Sequence, residues 1–131
     1  MIYLLDTNIC VYAIKRKPEV LNRLQERIPD DFAVSTITVA ELWFGAAKSS
    51  RPGSTRESVD AFLEPFEVLP FDVRAAEAYA VVRLQLERDG RPIGERDLLI
   101  AAIAKSRRLT VLTHNSREFS RVSDLKVEDW I

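Results

Sequence analysis

Three acids and a fourth, polar cluster in this chain stand where side chains can do chemistry. Asp6 ends the apolar run Ile2-Tyr3-Leu4-Leu5. Glu41 follows Phe32-Ala33-Val34 and the hydroxyl-rich stretch Ser35 to Thr38. Asp97 opens the otherwise apolar run Leu98 to Ala104. Glu118 lies three residues after Asn115, just beyond Thr110-Val111-Leu112-Thr113. Carboxylates gathered in one place repel each other, and without a counter-charge some take up protons. A hard divalent cation removes the conflict. Oxygen donors suit magnesium or manganese, and magnesium usually keeps several of its waters. Such an ion lowers the pKa of a bound water and stabilises charge on a phosphoryl oxygen. The reaction class that follows is metal-assisted hydrolysis of a phosphodiester. The chain has no Gly-rich phosphate loop, no nucleophile elbow and no Ser or Cys beside an obvious histidine.

Each acid also has a plainer reading, and at this level both stand. Asp6 can cap the helix after it. Thr38-Val39-Ala40-Glu41 fits a capping box, and Asn115-x-x-Glu118 fits nearly the same pattern. Asp97 in a first turn complements the helix dipole. Asp97 resists that reading best, because its helix is otherwise apolar and a carboxylate entering a partly dry place wants a partner. His114, the one histidine, falls in the same loop as Asn115 and reads either as a site residue or as a solvent-facing one. Cys10 reads as a buried helix residue.

The elements that position these residues follow from hydrophobic spacing. Short apolar runs at Ile2–Leu5, Phe32–Ser35, Val68–Leu69, Thr110–Thr113 and Leu125–Val127 read as strands. Helices are predicted over Thr7–Lys15, from Pro18 onward, and over Val39–Lys48, Ser58–Phe66, Val73–Glu87 and Arg96–Ser106. Ser49 to Ser54 reads as a surface loop. Strands alternating with helices imply an α/β fold with a parallel sheet covered on both faces. In such sheets, sites form beyond the carboxyl ends of the strands, where Asp6, Glu41, Asp97 and the Asn115–Glu118 loop all fall.

The chain has 131 residues, 47% hydrophobic and 30% charged, which is room for one domain, residues 1–131. One cysteine excludes an internal disulfide, and one histidine with one cysteine cannot build a His/Cys zinc site. No apolar run is long enough to cross a bilayer. The first residues lack a basic segment and reach an acid at position 6, so the expectation is a cytoplasmic protein without a membrane partner. Net charge is −1, unlike a general nucleic-acid binder. The average hides a basic stretch, however: Lys105, Arg107, Arg108, Arg117 and Arg121 against the single acid Glu118, with a second run at Lys15-Arg16-Lys17. A near-neutral total can thus conceal a basic rim around an acidic site, although solvated helix faces would look the same.

Taken in order, the motifs resemble those of the PIN-domain ribonucleases, specifically the VapC toxins of bacterial toxin–antitoxin pairs. Leu5-Asp6-Thr7-Asn8 is similar to the opening motif, and Ser35 to Leu42 followed by Gly45-Ala46 to the second. Pro92-Ile93-Gly94-Glu95-Arg96-Asp97 with Ile100-Ala101-Ala102 resembles the third. Leu112 to Phe119 resembles the fourth, and Glu128-Asp129-Trp130 the usual ending. The resemblance spans essentially the whole chain. It implies a three-layer α/β/α sandwich around a mostly parallel sheet of about five strands. It implies Asp6, Glu41 and Asp97 as catalytic acids, with Asp6 and Asp97 on the metal and Glu41 reaching it directly or through a water. Thr7 matches a hydroxyl supporting the first acid. Where many PIN domains carry an aspartate, this chain has Asn115, which cannot bring charge; Glu118, one turn on, is then the candidate fourth carboxylate.

The resemblance further implies a homodimer and an endoribonuclease dependent on magnesium or manganese, acting on structured RNA such as tRNA to arrest translation. It implies a VapB-type antitoxin whose carboxyl-terminal segment lies across the acidic groove. Operator DNA would be met only through that antitoxin. Two alternatives come from other classes. A receiver-like binding domain would need an acid pair after the first strand and a lysine after the last, and neither is evident. A PIN fold that only binds a partner is the other, and metal-dependent RNA cleavage separates it from the enzyme.

Overall fold

The structure is a computed structural model and describes residues 1–131. Strand β1 (Tyr3–Leu5) leads into α1 (Thr7–Ile14) and α2 (Pro18–Gln25). A single 3-10 turn, Pro29–Asp31, then delivers the chain to β2 (Phe32–Ser35), α3 (Thr36–Ala47) and α4 (Pro52–Leu63). Next come β3 (Glu67–Leu69), α5 (Val73–Arg88), α6 (Glu95–Arg107), β4 (Thr110–Leu112), α7 (Ser116–Phe119) and β5 (Val127–Glu128). The five strands pair in parallel in the order β3-β2-β1-β4-β5. From the central β1 the chain builds outward to β2 and β3, then returns to lay β4 and β5 on the other side. The strand order therefore switches between β1 and β4, where open parallel sheets form their binding crevices.

The pleat explains why the strands are uniformly apolar. Successive side chains face opposite sides of the sheet. Tyr3, Leu5, Phe32, Val34 and Leu112 enter one core, beneath α1 to α4. Leu4, Ala33, Leu69 and Val111 enter the other, beneath α5 and α6. The cores hold 14 and 15 buried residues, so neither face is open and the sheet is the middle layer of three. Trp130 closes the first core, edge-on to both Tyr3 and Phe32. In α6, Leu98 and every residue from Ile100 to Ala104 are buried, as its all-round apolar sequence predicts. No helix is long and apolar enough to cross a membrane.

Three elements differ from the sequence expectation by more than one residue. The helix expected from Val39 begins at Thr36, because Ser35 Oγ accepts the Thr38 amide at 3.1 Å and caps it three residues earlier. The Thr38–Glu41 capping box therefore does not form; Thr38 sits buried inside the first turn. The helix expected from Ser58 begins at Pro52, a residue suited to a first helical position, and it ends at Leu63 rather than Phe66. The last strand is Val127–Glu128 rather than Leu125–Val127, with Leu125 packed against the core instead.

Candidate active site

Asp6 and Thr113 are the residues just past paired positions Leu5 and Leu112 of β1 and β4. Both are held by continuations of the ladder: the Asp6 amide donates to Leu112 O at 2.9 Å and the Thr113 amide to Glu128 O at 3.0 Å. Their side chains meet across the switch point. Thr113 Oγ1 donates to Asp6 Oδ2 at 2.7 Å, and the Thr7 amide donates to Asp6 Oδ1 at 2.7 Å. Asp6 thus caps α1 and belongs to the site at once. Its carboxylate is only 3% exposed. Burial pushes its pKa up, the two hydrogen bonds oppose that, and the charge of Glu41 adds to it.

Glu41 reaches the same place from the second turn of α3. The Thr7 hydroxyl donates to Glu41 Oε1 at 2.7 Å. Thr7 has one hydroxyl proton, so the 3.0 Å contact between Thr7 and Thr38 must be donated by Thr38. Ser35 Oγ in turn donates to Thr38 Oγ1 at 3.4 Å. Three hydroxyls therefore line up in one direction, Ser35 to Thr38 to Thr7, and end on a carboxylate. The hydroxyl of Thr7 serves Glu41, while its backbone amide serves Asp6.

Asp97 stands in the first turn of α6, half-buried. Its pKa is raised to about 6, by burial first and then by the charges of Asp6 and Glu118. The one side-chain donor it receives is Asn115 Nδ2, at 3.1 Å from Oδ2. The same amide nitrogen donates to Glu118 Oε2, which holds the Glu118 carboxyl below its ordinary range. Two carboxylate acceptors require that the amide present its nitrogen here. Asn115 opens α7 but makes no side-chain cap bond; its side chain is spent between two acids. The fully buried Phe119 anchors this four-residue helix in the core, a burial that contributes about 1.5–3 kcal/mol and keeps Glu118 beside Asp97.

Asp6, Thr7, Glu41 and Asp97 line one open groove of about 570 Å³, joined by Gly94 and Arg96. Arg96 Nη1 lies 3.4 Å from Glu41 Oε2. His114 is not among the lining residues; it is exposed and its Nδ1 faces both carboxylate oxygens of Asp129 at 3.2 Å. The donors in the groove are all oxygens, which fits magnesium or manganese and not a soft metal. No three His, Cys, Asp or Glu side chains converge closely enough to wrap an ion by themselves. Acids spaced around open solvent suit a cation that keeps part of its water shell.

The structure thus brings together Asp6, Thr7, Glu41 and Asp97, with Asn115 and Glu118 reaching the same cluster through Asp97. Sequence reasoning missed Thr113, Ser35, Thr38 as a hydroxyl donor, and Arg96. The signal for Thr113 was present but needed the strand order: only once β4 is known to lie beside β1 does a threonine after β4 become the neighbour of an aspartate after β1.

The PIN domain family profile matches residues 3–125. The tRNA(fMet)-specific endonuclease VapC of Shigella flexneri is 39% identical over 128 residues, covering 98% of this chain and 97% of that protein. Among solved structures, DNA-bound VapBC from Salmonella typhimurium superposes with a TM-score of 0.94 at 39% identity, over 100% of this chain and 99% of that one. VapBC2 from Rickettsia felis, bound to a DNA fragment from its promoter, gives 0.92 at 38% identity over the full length of both chains. This chain belongs to the PIN-domain family, within its VapC ribonuclease branch.

Proposed function

We propose that this chain is the toxin of a toxin–antitoxin pair: a cytoplasmic, metal-dependent endoribonuclease that cuts tRNA, with initiator tRNA as the first substrate to test, and so arrests translation. The observation that carries the reading is the groove at the β1/β4 switch, where carboxylates from separate elements face one open space and burial with neighbouring charge makes Asp97 harder to ionise than an ordinary aspartate. Such crowding costs stability unless a cation uses it. Asp6 and Asp97 would hold the ion, with Glu41 and Glu118 near it. When bound, that ion supplies a water of lowered pKa and stabilises charge on the phosphoryl oxygen. The chain's own part is positioning. Thr113 and the Thr7 amide fix both oxygens of Asp6, the hydroxyl chain fixes Glu41, and Asn115 keeps Asp97 and Glu118 together.

A VapB-type antitoxin is the partner that fits. Its carboxyl-terminal segment would lie across the groove, where an arginine can pair bidentately with a carboxylate, and it would carry any contact with operator DNA. The toxin itself is expected to be a homodimer. The test is cleavage of an initiator-tRNA transcript by the purified chain, freed of antitoxin. Cleavage with magnesium or manganese and none in excess chelator supports the reading. Equal cleavage in chelator defeats the metal role, and no cleavage with any ion favours a PIN fold that only binds a partner.

A further inference from the structure

Arg96 contributes little to the fold. It lies in the first turn of α6, where the helix dipole favours acids and disfavours a cation. Its side chain is 74% exposed, so it buries little. An exposed, single-point ion pair of this kind contributes little to folding. Its one hydrogen bond in the structure is the loose 3.4 Å contact with Glu41 Oε2, yet a guanidinium carries five N–H donors. It is also the one cation lining the acid groove. Residues that break a local rule without a structural gain are where function is sought first.

The ribonuclease reading creates a need that Arg96 meets. A phosphodiester must approach a groove whose ionisable lining is otherwise carboxylate, and those groups repel it. A planar guanidinium at the mouth, with most of its donors unused and its position held only loosely, can leave Glu41 and take two phosphate oxygens side by side. We propose that Arg96 contacts a backbone phosphate of the RNA in the groove, exchanging its Glu41 contact for that phosphate as substrate enters. The proposal rests on the ribonuclease reading and adds a residue that delivers the anion to acids which would otherwise turn it away.

The experiment compares wild type, Arg96→Ala and Arg96→Lys on an initiator-tRNA transcript with magnesium, over a range of salt concentrations. Binding of the same transcript is measured in parallel with the Asp97→Asn protein, with and without Arg96→Ala. Arg96→Ala should melt with the wild type, because the side chain is exposed. Its KM should rise about tenfold while kcat changes less than about threefold, and the log–log salt dependence of binding should lose about one phosphate contact's worth of slope. Arg96→Lys should keep the slope but regain only part of the affinity, since an ammonium cannot make the bidentate contact. An unchanged KM and salt slope in Arg96→Ala overturns the proposal. So does faster cleavage, which would make Arg96 a block on Glu41. A fall in kcat at constant KM and slope also overturns it, because Arg96 would then act only by holding Glu41. A wild-type chain that leaves the transcript intact defeats initiator tRNA as its substrate instead, and the binding slopes then decide Arg96 alone.

Discussion

Asp6 and Asp97 line the same groove, and the chain has provided for them differently. Asp6 sits at the end of the central strand with a donor on each carboxylate oxygen: the Thr7 amide on one and the Thr113 hydroxyl on the other. Nearby Glu41 likewise has the Thr7 hydroxyl, backed by Thr38 and Ser35. Asp97 has a single side-chain donor, and it shares that amide with Glu118. The β1/α3 side of the groove is therefore satisfied by the fold itself. The α6/α7 side is left short of positive charge, and burial together with neighbouring acids lifts the Asp97 pKa to about 6. Satisfied carboxylates hold a shape. Asp97, the acid left short on that side, is where a cation has the most to gain.

The largest expected effects come from making the same isosteric change on each side. On the metal-dependent reading Asp97→Asn removes an acidic ligand, and cleavage should fall by at least about a hundredfold, the size of about 3 kcal/mol of lost charge stabilisation. Without metal its melting temperature should equal or exceed the wild type, because repulsion among Asp6, Glu118 and Asp97 is relieved. Asp6→Asn should be equally inactive but less stable, by about 1–3 kcal/mol, since an amide nitrogen now meets a group that was a donor. RNA cleavage and metal-free thermal melting of both variants decide it. If both variants lose stability alike, the contrast between the two sides is wrong. An Asp97→Asn protein that still cuts RNA at near the wild-type rate removes Asp97 from the metal site.

A smaller effect should appear with pH. The folded-state pKa of Asp97, about 6, lies above its ordinary 3.8. Between those values the folded protein binds more protons than the unfolded one, so this group's contribution is fully present below about pH 4 and is lost as pH rises through about 6. Metal-free wild type should therefore lose melting temperature relative to Asp97→Asn between about pH 5 and pH 7.5, and added magnesium should abolish that loss. Melting of the two proteins across this range, with and without the ion, is the measurement. A gap that does not change with pH would mean that Asp97 is not charge-strained.

Much of this was legible in the sequence, and the parts that were not share a cause. The strand runs, the buried α6 and the acids at the strand ends follow from local apolar spacing, which records how one element meets its core. Asp6 could be proposed because it ends such a run, Asp97 because it opens one, and Glu41 because it lies in the helix that follows one. The start of α3 was misplaced by three residues because two hydroxyl caps were available, Ser35 and Thr38, and only packing decides between them: Thr38 is drawn inside, leaving Ser35 to close the end. Thr113 and Arg96 were invisible for a different reason. Each acquires meaning from a residue far away in sequence, Asp6 across the β1/β4 pairing and Glu41 across the groove, and periodicity carries no record of such distant neighbours. The comparison of Asp6 with Asp97 needed the hydrogen bonds themselves.

The smallest expected effect concerns Glu118, which the sequence offered as a fourth carboxylate beside Asn115. Glu118 is half-buried, its pKa held down by the Asn115 amide, and its charge is one of the causes raising Asp97. Glu118→Gln keeps an oxygen for Asn115 to donate to and removes only the charge. Asp97 should then ionise more readily, which favours the metal, while the groove loses one unit of negative charge, which disfavours it. The opposing terms predict a modest result: the magnesium concentration for half-maximal cleavage should rise a few-fold to about tenfold, the effect of one charge acting across a partly screened groove. The rate at saturating magnesium should stay within about threefold of wild type. Cleavage measured against magnesium concentration resolves the two quantities. A loss at saturation as deep as that of Asp97→Asn would place Glu118 on the ion itself, and the α6/α7 side would then supply two direct ligands. No change in either quantity would leave Glu118 as a partner of Asn115 alone, and the charge shortage on that side would belong to Asp97.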